Sequence, residues 1–144
     1  LNISRYKIIA VGKIKKKWIQ EGIEMYLKRL PGLEVIEIKD NNPKKEEHSI
    51  REIISKNELL VTLNENGQSF TSKQLSTKLL NSHNQNIIFV IGGASGLPPS
   101  LNNSASWQLS LSPLTFPHEV ARLLLIEQLY RAKTITQGGP YHKG

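Results

Sequence analysis

The last residues of the chain place three kinds of chemistry side by side. Tyr141, His142 and Lys143 follow Gly138-Gly139-Pro140. An aromatic ring, a titratable imidazole and a cation grouped in this way suit contact with a nucleobase, although a frayed tail is the plainer reading of a terminus. A second candidate is Ile91-Gly92-Gly93-Ala94-Ser95-Gly96, which follows an apolar run. Glycines at such a place let a ligand approach the backbone and leave amides for its polar atoms. A tight strand-to-helix turn would use the same residues. The spacing matches neither G-x-G-x-x-G nor G-x-S-x-G, and the chain holds no G-x-x-x-x-G-K-[ST]. The third candidate is Leu111-Ser112-Pro113-Leu114-Thr115-Phe116-Pro117-His118. Its two prolines hold the backbone without offering donors. The apolar side chains, hydroxyls and backbone groups between them suit a flat apolar ligand such as adenine, held at its edge by the main chain; a rigid structural loop is the competing reading. The four histidines are scattered and there is no cysteine, so the sequence gives little support to a metal site.

Alternating strand-like and helix-like stretches must position these segments. Tyr6–Val11 reads as a strand ended by Gly12. Trp18, Ile19, Ile23, Tyr26, Leu27 and Leu30 recur at helical spacing up to Pro31-Gly32. A second strand is expected at Leu33–Ile38 and a helix over about 43–57. A third strand, Glu58–Leu63, is expected to close in a turn at Asn64-Glu65-Asn66-Gly67. Thr71 or Ser72 caps a helix carrying Leu75, Leu79 and Leu80. Asn86–Ile91 reads as a buried strand, Pro98–Asn103 as a short helix and Trp107–Leu111 as a fifth strand. Pro117 opens a long helix to about Thr136. Strands alternating with helices imply an α/β fold with a parallel sheet covered on both faces. Ligands of such sheets bind at the carboxyl ends of the strands. That singles out the loops after Leu63, Ile91 and Leu111. The run Leu123-Leu124-Leu125-Ile126 covers the full circumference of the last helix with apolar side chains at that point, which suits a central core helix of one subunit or, the favoured reading, a helix with a second subunit packed on its outer side.

Size and charge narrow the class. A chain of 144 residues has room for one domain, residues 1–144. The lack of cysteine excludes a disulfide-stapled secreted module. No apolar run approaches the length of a membrane span, and no signal-peptide core is visible, so an intracellular, cytoplasmic protein is expected. The net charge is +7, and residues 1–30 alone hold eight bases against two acids. Lys13 and Lys15 lead that surplus, and a polyanion such as nucleic acid is the partner it suits, with a solvated surface as the alternative.

Several blocks together resemble a known family. They are Lys7–Lys15, Tyr26-Leu27-Lys28-Arg29-Leu30, Ile91-Gly92-Gly93-Ala94-x-Gly96-Leu97, Leu109–His118, Glu127-Gln128-Leu129-Tyr130-Arg131-Ala132 and Pro140-Tyr141-His142-Lys143. In this order they are similar to the RlmH (YbeA) ribosomal RNA methyltransferases of the SPOUT superfamily. The resemblance implies a parallel-sheet SPOUT-type methyltransferase fold with a C-terminal trefoil knot, and a homodimer. It implies S-adenosylmethionine (SAM) as methyl donor and, as substrate, N3 of a pseudouridine in helix 69 of 23S rRNA in the assembled ribosome. Carried over by position, the cofactor contacts are Leu63, Gly92 with Gly93, and Leu111, Ser112, Pro113, Leu114, Thr115 and Phe116.

The chemistry so implied needs neither metal nor covalent nucleophile, because a sulfonium already makes its methyl electrophilic. The enzyme must align the attacking nitrogen, and the N3 proton must leave. His142 as base or orienter, Arg131 and Lys143 as cations and Tyr141 as a stacking ring are the candidates. Two rivals remain open at this point: a non-catalytic RNA- or ribosome-binding module, and a Rossmann-like methyltransferase of small molecules. The latter lacks its glycine-rich loop, since Gly12 is followed by Lys13-Ile14-Lys15.

Overall fold

The computed structural model describes residues 1–144. Five strands form one parallel sheet in the order β2-β1-β4-β3-β5. In chain order the elements are β1 (Tyr6–Val11), α1 (Lys17–Lys28), β2 (Glu34–Ile38), α2 (Pro43–Ile53), β3 (Glu58–Ser69), α3 (Ser72–Asn81), β4 (Asn86–Ile91), α4 (Pro99–Ser104), β5 (Trp107–Ser110) and α5 (His118–Thr136).

The alternation of side chains along each strand divides the core in two. Ile8, Val61, Ile87, Phe89 and Leu109 face the layer of α1, α3 and α5. Ile9, Val11, Ile88 and Val90 face Ile50 of α2 and Leu101 of α4. Each fully buried Ile or Phe contributes about 1.5–3 kcal/mol relative to exposure. Both faces of β1 and β4 are apolar because both are covered, as the parallel arrangement requires. No helix is long and apolar enough to cross a membrane.

Two boundaries differ from expectation. The strand expected to end at Leu63 instead runs to Ser69. Its partner β5 is too short to follow, so Leu109 pairs with both Leu63 and Gln68 and residues between them bulge out. A Cβ at Gly67 would stand 2.7 Å from the Gln108 carbonyl oxygen, so the bulge packs tightly on β5. The second helix stops at Ile53 rather than near residue 57. Ser55 and Glu58 then close a turn in which Ser55 N donates to Glu58 Oε1 and Glu58 N to Ser55 O. At α3, Thr71 is the cap, and it forms a reciprocal box with Gln74.

Helix α5 lies between α1 and α3. Leu125 and Ile126 are fully buried within the chain, whereas Leu123 and Leu124 on its outer side are half-buried. Gly22 of α1 lets α5 come close: a Cβ there would lie 3.3 Å from Leu123.

Candidate active site

The bulged middle of β3 (Leu63, Asn64 and Glu65) and the carboxyl ends of β4 and β5 meet the start of α5 around a cavity of about 380 Å³. Eight of the nine residues expected to hold a cofactor line it: Leu63, Gly92, Gly93, Leu111, Ser112, Leu114, Thr115 and Phe116. Pro113 does not; it is exposed on the outer side of its loop. The three segments singled out in the sequence therefore converge on one space, although the one after Leu63 is a bulge within β3 rather than a loop at its end.

The glycine turn is built for its own closure as much as for a ligand. Gly96 N donates to Gly93 O at 3.0 Å, and Gly96 has φ +73°. A Cβ at Gly92 would lie 2.7 Å from the Gly96 carbonyl carbon and 2.9 Å from Leu97 N. The 111–116 loop is fixed from β3. Glu65 accepts from the Thr115 hydroxyl through its carboxylate and from the Ser110 hydroxyl through its backbone carbonyl. Leu114 N donates to Ser112 Oγ. The amides of Leu111, Ser112, Thr115 and Phe116 donate to no acceptor in the chain.

The start of α5 also grips the basic loop after β1. Glu119 Oε1 accepts from Lys15 N at 2.9 Å and Lys16 N at 3.1 Å. These amides hold the Glu119 carboxyl below the ordinary range, against the opposing effect of burial. Arg122, buried, donates to Gly12 O at 2.9 Å and pairs with Glu37. Lys13 and Lys15 are thereby presented to solvent near the cavity, since His118 and Ala121 of the same helix turns line it.

The remaining candidates gather elsewhere. Arg131 pairs with Glu127 through Nη2 at 2.6 Å and Nε at 3.3 Å, and its Nη1 lies 3.0 Å from His142 Nδ1. Tyr141 Oη donates to Glu127 Oε2 at 2.8 Å and lies 2.9 Å from Tyr26 Oη. Its ring meets Tyr130 edge-on and lies under the Arg131 guanidinium. The tail is thus docked rather than frayed. Tyr141 spends its ring and hydroxyl on that docking, and its pKa is pushed up, first by burial and then by its bonds to Tyr26 and Glu127. The Glu127 carboxylate likewise holds Arg131 firmly protonated. Lys143 is exposed beyond the cluster. About 20 Å of helix separates His118 at the cavity from Arg131 at the tail.

A family profile described as "Predicted SPOUT methyltransferase" matches residues 4–142. The chain belongs to the SPOUT methyltransferase family. It is 88% identical, over 99% of both chains, to Ribosomal RNA large subunit methyltransferase H of Prochlorococcus marinus (strain NATL1A). It is 54% identical, again over 99% of both, to the protein of that name from Synechococcus sp. (strain CC9311). Among solved structures, a probable methylase family protein from Haemophilus influenzae Rd KW20 shares the fold, with a TM-score of 0.62 at 11% identity, covering 99% of this chain and 72% of that one.

SPOUT methyltransferases take their methyl group from SAM, and the cavity fits such a molecule. Its volume lies in the range of small-molecule sites. Leucines and Phe116 supply apolar walls, and the unpaired amides of the 111–116 loop supply edge donors. Asn102 also lines the space, and its buried Oδ1 has no partner in the chain.

Sequence reasoning missed the residues that hold these SPOUT site segments in place. Glu119 carried a readable signal, an acid in the first turn of a helix. Arg122 and Glu65 carried none, because their partners are far away in the sequence. Tyr26 was legible as one of several apolar positions on α1 and as part of a resemblance block, but its bond to Tyr141 was not.

Proposed function

We propose that this protein transfers the methyl group of SAM to N3 of a pseudouridine in helix 69 of 23S rRNA, on the assembled ribosome. The observation that carries this reading is the full-length, 88% identity to a protein named for methylation of large-subunit ribosomal RNA. The converging cavity and the +7 charge agree with it.

All 144 residues serve as one cytoplasmic domain, whose C-terminal part carries the trefoil knot that SPOUT membership implies. SAM, when bound, supplies an electrophilic methyl group. Leu63, Gly92, Gly93 and the 111–116 loop hold it, with Pro113 stiffening that loop from outside. Lys13, Lys15 and Lys143 contact rRNA phosphates. Arg131, Tyr141 and His142 serve the target base.

The distance between the cavity and these last residues supports a homodimer as the working form. One protomer's α5 spans the gap but cannot close it. A partner placed against the half-buried Leu123 and Leu124 brings its tail to the first protomer's cavity. Each site then combines one chain's cofactor with the other's tail.

The deciding experiment transfers labelled methyl from SAM to intact ribosomes, separated subunits and naked rRNA, and identifies the modified base. Methylation of N3 on a helix 69 pseudouridine in ribosomes is expected. A label elsewhere, or no heat of SAM binding in calorimetry, overturns the reading; the latter outcome would leave a ribosome-binding module.

A further inference from the structure

The bond between Arg131 and His142 assigns the protons of the imidazole. Arg131 Nη1 lies 3.0 Å from His142 Nδ1. A guanidinium has five N–H donors, no acceptor, and keeps its charge in proteins. His142 Nδ1 must therefore accept, so the neutral ring carries its proton on Nε2. Nε2 itself makes no hydrogen bond in the chain.

The rest of the cluster holds this state in place. Glu127 takes Nε and Nη2 of Arg131, which leaves Nη1 for His142. Tyr141 donates to Glu127, so the Tyr26 hydroxyl must donate to Tyr141. The titratable and charged groups bonded or packed together in the cluster are Glu127, Tyr130 and Arg131 from α5, Tyr26 from α1, Arg29 just after it, and Tyr141 and Lys143 from the tail. Three are cations and one is a carboxylate. Such a surround stabilises an incoming anion better than it accepts a proton.

We propose that His142 serves methyl transfer as a hydrogen-bond donor through Nε2–H, and that Glu127, acting through Arg131, is the positioning residue that sets this tautomer. The inference rests on the reaction given under Proposed function. A general base at this ring has no free lone pair: Nε2 bears the proton and Arg131 occupies Nδ1. The N3–H of the imide therefore gives its proton to water. The negative charge left on N3 and its two flanking carbonyl oxygens accepts from His142 Nε2–H. The N3 lone pair forms the N–CH3 bond as the S–CH3 bond breaks, and that bonding pair stays on sulfur as a neutral thioether.

The test compares wild type, His142→Gln, His142→Ala and Glu127→Gln in methylation of intact ribosomes at saturating SAM across pH. Glutamine keeps an N–H donor but cannot act as a base in this range. His142→Gln is expected within about tenfold of wild type with a parallel pH profile, and His142→Ala about 10²–10³-fold lower, as for loss of one donor to a developing anion. Glu127→Gln should lower kcat with KM for SAM unchanged. Nitrogen NMR of the free wild-type protein should show His142 as the Nε2–H tautomer. The proposal is overturned if glutamine falls as far as alanine, if all three forms are equally active, or if wild type shows an acid-side inflection that both His142 variants lack. An Nδ1–H tautomer also overturns it, and that readout needs no turnover. Absence of wild-type methylation would instead count against the reaction itself.

Discussion

The two ends of α5 are built from different materials. At its start, the cavity is made of main chain and apolar side chains: a glycine turn, a loop stiffened by proline, and leucine walls. Its charged residues, Glu65 and Glu119, are spent on holding loops in place. At its far end, the tail cluster is almost all side-chain chemistry, with Tyr141, Glu127, Arg131 and His142 bonded in that order. The first end suits a ligand that is the same in every turnover and can be met by fixed backbone. The second suits an anion that exists only during reaction, which oriented donors stabilise. The two are separated along a rigid helix within each chain.

That contrast is open to direct attack, and the largest effect should come from the tail. Deleting residues 140–144 removes His142 and the Tyr141 contacts. Methylation should fall by at least about 10³-fold, beyond the loss of a single donor, while calorimetry shows SAM binding within twofold of wild type. Loss of SAM binding would mean that the two ends are not separate.

Gly92→Val attacks the other end. Its Cβ would press on the Gly96 and Leu97 backbone. Overpacking of this kind costs about 1–3 kcal/mol, and SAM affinity should drop by tenfold or more. The Arg131–His142 bond, read by nitrogen NMR, should persist. Mixing the tail deletion with Gly92→Val during expression, and assaying at a SAM concentration too low for Gly92→Val alone to turn over, sharpens the comparison further. Random pairing in a twofold-symmetric dimer yields about a quarter of wild-type activity if each site draws on both chains; an inactive mixture would show that each chain works alone.

A smaller effect concerns the basic loop. The Glu119 carboxyl is held below its ordinary range by the Lys15 and Lys16 amides. A depressed carboxyl contributes stability that is present above its unfolded pKa and lost as pH falls through the folded value. Wild type should therefore lose melting temperature below about pH 4.5 more steeply than Glu119→Gln, the window beginning at the unperturbed carboxylate value. At neutral pH the variant should bind ribosomes a few-fold more weakly, because Lys13 and Lys15 are held less firmly. Superimposable melting curves would remove Glu119 from this role. The smallest expected change is Tyr26→Phe, which deletes one donor to Tyr141. It should cost about 0.5–1.5 kcal/mol of tail docking, read as up to tenfold faster proteolysis of the C-terminus with SAM binding intact.

Much of the scaffold was legible from pattern alone. The alternation of apolar strands with amphipathic helices marked all five strands and the loops that end β4 and β5, because period and turn residues are local properties. The β3 extension was not legible. Asn64–Gly67 has the composition of a turn, and only pairing with β5 draws Gln68 and Ser69 back into the sheet. At the site, Gly92, Gly93 and Leu111–Phe116 stood out through their backbone chemistry, and Tyr141–Lys143 through their grouping. The proton on His142 was open in the sequence, where base and orienter were equal readings. It was decided by a hydrogen bond to a residue one turn of packing away.

The sequence by itself determined that this is a basic α/β chain whose candidate ligand groups lie at strand ends and in its last residues. Spacing, charge and residue type are properties of the chain in one dimension, and they suffice for that. Only the tertiary structure decided that these groups lie in two separate clusters of one chain, because α5 is rigid and holds its ends about 20 Å apart. Only it assigned Glu119, Arg122 and Tyr26 their work, since each acts on a partner about a hundred residues away in the chain, reached only through folding.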